Sequence, residues 1–228
     1  MKVSGDGAGA VTAPALRVEE LGVMRSRRSV FQGLSFDVRA GQSLALVGPS
    51  GAGKTSVLNC VLGLLRPSSG RVLVQGSDLY RLSGGGRRRL RASAVGAVFQ
   101  HAELLPELTA LENVAVAGRL GGLSAAGARG RAVALLDEVG ISDVDRFATE
   151  YSGGQRQRIG VARALVNEPA LILADEPTAS LDRETGDKVA DLLYSLPERT
   201  GCALLLVTHD QRVYERADSV VRLGSEQA

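Results

Sequence analysis

A glycine-rich loop that joins an apolar strand to an apolar helix constrains the fold of this chain more than any other feature. The loop reads GPSGAGKT and occupies Gly48–Thr55. The segment before it, Ser43–Val47, is short and apolar, which is typical of a buried strand. After it, apolar side chains recur at helical spacing over Val57–Leu65, and Pro67 predicts the end of that helix. The order strand, glycine loop, helix indicates an α/β domain.

The same loop predicts a site for the phosphates of a nucleotide, and we call Gly48–Thr55 the phosphate loop. Glycine N–H groups can curl around phosphate oxygens, and the positive end of the following helix points toward them. Lys54 is placed to reach the outer phosphates, and the Thr55 hydroxyl is placed to bind magnesium. These features favour a nucleoside triphosphate. The loop alone leaves an ATPase, a GTPase and a kinase open.

Two adjacent carboxylates end a second apolar strand, which reads LILADE at Leu171–Glu176. Ligands gather at the carboxyl ends of strands in open α/β sheets. Asp175 can hold magnesium through water, and Glu176 can act as the general base that activates an attacking water. Adjacent acids also occur at solvated strand ends, and it is the phosphate loop in the same chain that favours a catalytic role here.

A second short loop, SGGQ at Ser152–Gln155, precedes a helical pattern that ends near Val166. We call it the SGGQ loop. A serine and bare glycine N–H groups at the start of a helix form an anion site by the same physics as the phosphate loop. The SGGQ loop is therefore predicted to hold a second phosphate or the far side of the same one.

The rest of the sequence shows strand and helix patterns at the two ends of the chain and mainly helix patterns in the middle. Further strand-like stretches are Leu34–Val38, Arg71–Gln75, Val95–Phe99 and Leu204–Val207. One helix is predicted from the N-cap Ser124 to Val139, with Gly140 as its stop, and another over Arg183–Leu196.

The segment Ser83–Arg91 is predicted to be a flexible and basic loop. It overlaps LSGGG at Leu82–Gly86, which imitates the SGGQ loop without its glutamine. Its arginines are Arg87, Arg88, Arg89 and Arg91. They fit a solvated charged face, and nucleic acid or lipid headgroups are the alternatives, although no aromatic residues are interleaved.

Composition bounds the possible classes of protein. The chain has 228 residues, of which 44% are hydrophobic, enough for one domain with its own core. Its 27 basic and 25 acidic residues give a net charge of +2, which does not favour nucleic acid as a partner. Cys60 and Cys202 lie in apolar stretches and are expected to be buried thiols. No apolar run spans a bilayer and residues 1–14 lack an export signal, so a cytosolic location is expected.

The motifs together resemble the ATP-binding-cassette (ABC) ATPases, in the order and spacing of that family from about Ser29 to Leu223. The matching elements are GPSGAGKT, Gln100 after an apolar strand, YSGGQRQR at 151–158, LILADEP at 171–177, SLD at 180–182 and His209 in LVTHD. The resemblance implies a P-loop NTPase fold of ABC type, with a RecA-like αβ core, an N-terminal antiparallel β subdomain and a helical subdomain that carries the SGGQ loop. It implies a flexible tail at 1–14, a nucleotide-binding domain at 15–228 and a helical subdomain at about 101–166.

The resemblance also implies roles for individual residues, with ATP and Mg²⁺ as cofactors. ATP would lie between two copies of the chain in a head-to-tail dimer. Its contacts would be Gly48, Pro49, Ser50, Gly51, Ala52, Gly53, Lys54, Thr55 and Ser56 of one copy and Ser152, Gly153, Gly154 and Gln155 of the other, with Asp182 bridging the copies. The metal-binding residues would be Thr55, Gln100 and Asp175, and the catalytic residues Glu176, His209 and Gln100.

Two positions depart from the family pattern. The family usually stacks adenine on an aromatic residue in the strand well before the phosphate loop, where this chain reads LGVMRSRRSV with Met24 or Arg25 nearest. A thioether or guanidinium can still lie on a purine, so weaker discrimination of adenine is expected. Tyr151 stands where leucine is commoner before SGGQ, and little consequence is expected.

The stretch Arg89–Val114 resembles the ABC branch that serves macrolide export, lipoprotein release and the cell-division type of permease. The resemblance implies a cassette on the cytoplasmic face of the membrane that powers a separate integral membrane permease, with no nucleic acid as a partner. A regulatory or scaffold module that controls a membrane partner without transport is the alternative.

Overall fold

The computed structural model describes residues 13–26 and 28–224. The predicted flexible tail at 1–14 lies almost entirely outside these ranges. The described chain forms an antiparallel sheet of four strands and a parallel sheet of five strands. The predicted α/β class, with an N-terminal antiparallel part, is confirmed.

The elements follow one another in a mixed order along the chain. The strands are β1 (Leu16–Arg25), β2 (Arg28–Val38), β3 (Ser43–Val47), β4 (Ser69–Val74), β5 (Ser77–Asp78), β6 (Val95–Val98), β7 (Leu171–Asp175), β8 (Ala203–Val207) and β9 (Ser219–Arg222). The helices are α1 (Lys54–Val61), α2 (Gly84–Ala94), α3 (Ala110–Leu120), α4 (Ala125–Glu138), α5 (Gly153–Leu165), α6 (Arg183–Thr200) and α7 (Gln211–Tyr214).

The parallel sheet has the strand order β6-β7-β8-β3-β9 and lies between two apolar clusters. In β8, Leu204 and Leu206 join the cluster formed with α3 to α6, whereas Leu205 joins the cluster formed with α1 and the antiparallel sheet. Because both faces are covered, the strands read as continuous apolar runs rather than as alternating patterns.

This topology brings the predicted site to one edge of the parallel sheet. Strands β3, β7 and β8 are parallel neighbours, so their carboxyl ends meet at the same edge. The phosphate loop follows β3, Asp175 ends β7 and His209 comes shortly after β8. Residues that are far apart in sequence therefore share the edge where ligands of open α/β sheets bind.

The middle of the chain is helical, as predicted. Ser124 caps α4 by accepting a hydrogen bond from the Gly127 amide, and Gly140 follows the helix with a φ of +72°. Helix α3 was not predicted, although its signal was present: Thr109 and Glu112 form a reciprocal capping box at its start. The subdomain boundaries at about 101 and 166 stay a prediction.

The prediction of a flexible loop at Ser83–Arg91 is wrong, because this segment begins α2. The Ser83 hydroxyl accepts a hydrogen bond from the Gly86 amide at 3.1 Å, which caps the helix. Arg91 Nη1 donates to the Leu62 carbonyl at 3.0 Å and ties α2 to the end of α1. The three glycines suggested a loop, and the cap together with these tertiary contacts outweighs their poor helix propensity.

Two helix ends also differ from the prediction. Helix α1 ends at Val61 rather than continuing toward Leu65, because Gly63 takes a φ of +68° and its amide bonds to Cys60. Helix α6 continues beyond Leu196 to Thr200 and ends at Gly201, whose φ is +73°.

Both cysteines are buried free thiols, as predicted. Burial raises the pKa of the Cys60 thiol to about 11, so it is protonated and unreactive at neutral pH. None of the helices in the described ranges combines the length and the apolar character that crossing a bilayer would need.

Candidate functional site

The phosphate loop connects β3 directly to α1. Gly53 is the N-cap of α1, and no side chain caps the helix. The first amides of a helix have no partner within it, so those at the start of α1 are available to an anion. Thr55 and Ser56 add hydroxyl groups to the same first turn. This arrangement can hold the phosphates of a nucleotide, as the sequence predicts.

Gly53 is required by close packing as well as by its backbone, which has a φ of +100°. A Cβ atom here would lie 2.7 Å from Val30 Cγ1 and 2.8 Å from Phe31 Cδ1. Strand β2 thus presses against the phosphate loop and fixes its entry into α1. This packing reason for the glycine was not visible in the sequence.

Lys54 bonds to the phosphate loop, and its charge acts on Asp175 at the end of β7. Lys54 Nζ donates hydrogen bonds to the carbonyls of Gly48 at 2.8 Å and of Pro49 at 3.1 Å. Burial raises the pKa of the Asp175 carboxyl, the neighbouring Glu176 raises it further, and the charge of Lys54 opposes both effects. The charge of one lysine therefore acts on the first of two adjacent carboxyl groups.

Glu176 is held in an unusual backbone conformation. Its φ is +46°, which is rare for a residue with a side chain and is often found at functional sites. Its amide donates to the Val207 carbonyl at 2.9 Å, which extends the pairing of β7 and β8 by one residue. His209 Nδ1 donates to Glu176 Oε1 at 2.9 Å, so the two predicted catalytic side chains are in direct contact.

The turn that carries His209 is fixed by polar contacts on both sides. Thr208 is buried, and its hydroxyl accepts a hydrogen bond from the Asp210 amide at 3.1 Å. Asp210 caps α7, and hydrogen bonding to Arg212 lowers the pKa of its carboxyl. His209 itself is exposed, with 71% of its side chain accessible, and can reach a ligand.

Two cavities meet at His209. One, of about 380 Å³, is lined by Gly48, Pro49 and His209 among others. The second, of about 310 Å³, is lined by Glu176, Asp182 and His209 among others. The structure thus brings the rim of the phosphate loop, the candidate base and the predicted bridging aspartate to one continuous surface.

The SGGQ loop forms a capped helix start. Ser152 Oγ accepts from the Gln155 amide at 3.3 Å, and Gln155 Oε1 accepts from the Ser152 amide at 2.9 Å. Because this capping box uses the Ser152 and Gln155 amides, the amides of Gly153 and Gly154 are left for another acceptor. The local geometry suits an anion.

The structure does not place the SGGQ loop on the phosphate loop. A Cβ on Gly154 would lie 2.2 Å from Thr185 Cγ2, so only glycine allows α5 to approach the start of α6. The Thr185 amide donates to the capping carboxylate of Asp182 at 3.0 Å. Neither cavity at His209 includes any residue of the SGGQ loop. The second anion site therefore lies beside the start of α6, which Asp182 caps, and outside the linings of the two cavities at His209.

Helix α5 anchors the segment around Gln100. Gln157 Nε2 donates to the Phe99 carbonyl at 2.7 Å, and Arg163 Nη2 donates to the Ala102 carbonyl at 2.5 Å. Ser180 Oγ donates to the Gln100 carbonyl at 3.0 Å. The helix that begins with the SGGQ loop thus also positions Gln100. Sequence reasoning missed Gln157 and Arg163, and the available signal was a polar residue on an otherwise apolar helix face.

The position expected to contact adenine lies beside the first turn of α1. Met24, Arg25 and Ser56 line one cavity of about 400 Å³, and no aromatic residue is among its lining residues. Arg25 pairs with Arg28 across the turn from β1 to β2. The structure therefore places Met24 and Arg25 next to the helix turn that follows the phosphate loop.

Tyr151, the other departure, is packed into the core. It is 4% exposed, and its hydroxyl donates to the Asp143 carbonyl. The guanidinium of Arg146 lies 5.0 Å from the centre of its ring. The larger side chain thus has its own partners in this chain.

Comparison with known proteins agrees with this geometry. Residues 31–179 match the family model described as ABC transporter. The chain is 44% identical over 216 residues to the lipoprotein-releasing system ATP-binding protein LolD of Xanthomonas campestris pv. campestris, covering 92% of this chain and 90% of that protein. It is also 44% identical over 200 residues to the uncharacterized ABC transporter ATP-binding protein YbbA of Escherichia coli, covering 87% of this chain and 88% of that protein.

Among solved structures, a similar one is the dimeric post-hydrolysis state of the ATP-binding cassette MJ0796 bound to ADP and phosphate. It has a TM-score of 0.81 and 31% sequence identity, and the match covers 91% of this chain and 94% of that one. The predicted ABC type of fold is confirmed. The chain therefore belongs to the ABC transporter family, as one of its ATP-binding subunits.

Proposed function

We propose that this chain binds and hydrolyses ATP as a head-to-tail dimer and thereby powers a separate membrane permease. One observation carries the proposal most directly. The phosphate loop, Glu176 and His209 form one continuous surface, while the SGGQ loop is built as an anion site in a different place. Two half-sites that lie apart in one chain would meet between two copies.

The phosphate loop would hold the phosphates of ATP through the first amides of α1 and through Lys54. The other copy would present the amides of Gly153 and Gly154 to the outermost phosphate. The proposed contacts are those implied by the family resemblance: Gly48 to Ser56 of one copy, and Ser152 to Gln155 with Asp182 of the other.

Mg²⁺ fits the acidic part of this site. Asp175 is half-buried next to a second carboxyl group, and both features raise its pKa, which a divalent cation beside it would reverse. Thr55, Gln100 and Asp175 would hold the ion. When bound, it would neutralise charge on the phosphates.

Glu176 would act as the general base toward the attacking water. Its carboxylate accepts a hydrogen bond from His209, which fixes its orientation at the end of β7. The exposed face of His209 would contact the terminal phosphate. Gln100, held by α5 and Ser180, would contact the metal and relay the state of the site to the membrane partner.

Sharing of the site between copies is testable by mixing two inactive variants. Lys54→Ala disables the phosphate loop, and Gly153→Asp places a negative charge at the SGGQ loop while the helix start tolerates an acid. Each variant alone is expected to lack ATPase activity. A mixed dimer pairs an intact phosphate loop with an intact SGGQ loop at one of its sites, so mixing is expected to restore activity.

Gly153→Ala is the matched control, because it adds a Cβ 3.2 Å from Leu181 Cδ2 without adding charge. It is expected to keep most activity. If the two inactive variants stay inactive on mixing, while cross-linking shows that mixed dimers form, the site is not shared and the proposal fails.

We infer a permease partner, and a location on the cytoplasmic face of the membrane, from the relatives that this chain resembles. The 44% identity to a lipoprotein-releasing system ATP-binding protein supports a permease of the same branch. The regulatory alternative uses the same ATPase residues, so flux of substrate in reconstituted membranes separates the two functions.

The cavity beside Arg25 predicts how the adenine base is held. Arg25→Tyr restores an aromatic ring, which is worth about 0.5–1.5 kcal/mol in stacking. We therefore expect tighter ATP binding, by about two- to tenfold, and a larger preference for ATP over GTP. Arg28→Tyr, on the opposite strand of the same turn, is the control. Equal nucleotide affinities for the wild type and Arg25→Tyr would show that the base is held elsewhere.

A further inference from the structure

Two neighbouring residues shortly after Gln100 have a backbone conformation that residues with a side chain rarely adopt. The φ of Ala102 is +60° and that of Glu103 is +47°. In residues 13–26 and 28–224, no other two neighbours that both carry side chains have positive φ at both positions. Such a conformation costs free energy and persists only where the surrounding structure enforces it. Contacts from elsewhere in the fold must therefore hold this pair.

Arg163 of α5 supplies these contacts. Its Nη1 donates to the Glu103 carbonyl at 2.6 Å, and its Nη2 donates to the Ala102 carbonyl at 2.5 Å. A guanidinium presents its donors in a rigid fork, so one side chain fixes the direction of both carbonyls. A Cβ on Gly160 would lie only 3.3 Å from Ala102 Cβ, so α5 also packs closely against the pair. Within the described part of the chain, Arg163 forms no ion pair.

The same pair closes the turn that carries Gln100. The Ala102 amide donates to the Phe99 carbonyl at 3.0 Å, which places Gln100 at the second position of a four-residue turn. Ala102 thus belongs both to this turn and to the pair with positive φ. A change of backbone conformation at the pair would therefore displace the turn.

We propose that Arg163 is a positioning residue for Gln100. By holding the carbonyls of Ala102 and Glu103, it keeps Gln100 where its side chain can reach the metal. This role rests on the proposed function, which gives Gln100 its contact with Mg²⁺. Arg163 lies outside the linings of both cavities at His209, so it acts through the backbone rather than on the nucleotide. Backbone strain of this kind is concentrated at functional sites.

A second substitution separates positioning from ordinary structural support. As a cation in the last turn of α5, Arg163 also stabilises that helix. Arg163→Ala removes both contributions, and the pair is then expected to leave its positive φ. Glycine adopts positive φ as readily as negative φ, so Arg163→Ala/Glu103→Gly is expected to regain the turn without the arginine. Glycine at position 103, which is exposed, cannot replace the support that Arg163 gives to α5.

The first measurement is the Mg²⁺ concentration that gives half-maximal ATPase activity. Residues that orient metal ligands typically change metal affinity by about 10- to 100-fold when they are removed, and we expect an increase of this size for Arg163→Ala. The value for Arg163→Ala/Glu103→Gly is expected to return toward that of the wild type. ATP binding measured without Mg²⁺ is expected to be the same in all these variants.

Arg163→Ala/Glu103→Ala is the matched control. It removes the same carboxylate, whose charge acts on Arg163, but alanine does not make positive φ easier. We expect it to behave as Arg163→Ala does. Arg163→Lys keeps the charge without the rigid fork and is expected to show a smaller increase, so it provides the test if Arg163→Ala does not fold.

The second measurement needs neither nucleotide nor metal. Hydrogen exchange at the Ala102 amide, followed by NMR, reports on its hydrogen bond to the Phe99 carbonyl. Exchange is expected to be faster in Arg163→Ala and in the alanine control than in the wild type. It is expected to slow again in Arg163→Ala/Glu103→Gly.

The positioning role is excluded if Arg163→Ala keeps the wild-type Mg²⁺ dependence, or if glycine and alanine at position 103 have the same effect in the Arg163→Ala background. Failure of the proposed function would be seen in Gln100→Ala instead. This variant is expected to shift the Mg²⁺ dependence while Arg163 is intact. If it does not, the metal contact proposed for Gln100 is wrong, and the role of Arg163 is excluded with it.

Discussion

Replacing Glu176 with glutamine is expected to slow ATP hydrolysis by about 10²- to 10⁴-fold, the usual contribution of a general base, while ATP binding is retained. Glutamine keeps the size of the side chain and can still accept the hydrogen bond from His209. It cannot take a proton from the attacking water. Initial rates of phosphate release at saturating ATP measure the first effect, and isothermal titration measures the second.

The same variant is expected to accumulate as a dimer. Nucleotide held between two copies stabilises their association, and slow hydrolysis prolongs that state. Size-exclusion chromatography with ATP and Mg²⁺ should therefore show a dimer for Glu176→Gln and mainly monomer for the same variant without nucleotide. Glu198→Gln, an exposed glutamate on α6, is the control and should behave as the wild type. A glutamine variant that turns over normally, or that stays monomeric with ATP, would contradict the assignment of Glu176.

The sequence was informative where function depends on short segments at strand ends. Ser43–Val47 and Leu171–Ala174 read as buried strands, so the positions of Lys54 and Asp175 followed from local pattern alone. Their meeting at one sheet edge then required only that the strands be parallel neighbours, as they are. His209 and Glu176 come into contact for the same reason, because they follow the neighbouring parallel strands β8 and β7.

What the sequence did not reveal depends on packing between distant segments. Helix α2 has three glycines at its start, and its contacts to the end of α1 are what stabilise it. The roles of Gln157 and Arg163 depend on which segment α5 packs against, and their polar character alone did not name the Phe99 and Ala102 carbonyls as partners. The glycine at 154 looked like an anion ligand, and the structure adds that Thr185 leaves no room for a side chain there.

Lys54→Ala is expected to abolish ATP binding rather than slow the chemical step. Lys54 Nζ now donates to two loop carbonyls, and with ATP it would donate to phosphate oxygens at the same place. Each hydrogen bond to a charged group is worth about 1.5–3 kcal/mol, so losing two raises the Kd for ATP by about 10²-fold or more. Isothermal titration would measure the Kd for ATP. Lys188→Ala, at an exposed position of α6, is the control for the loss of a lysine.

Combining the two substitutions in one chain tests whether ATP binding precedes association of the copies. If ATP must bind to the phosphate loop before the copies associate, Lys54→Ala/Glu176→Gln is expected to stay monomeric with ATP, although Glu176→Gln alone dimerises. Removing Lys54 also removes the charge that opposes the raised pKa of Asp175. A double variant that still dimerised with ATP would mean that the SGGQ loop binds nucleotide without the phosphate loop, and the shared site would then need a different explanation.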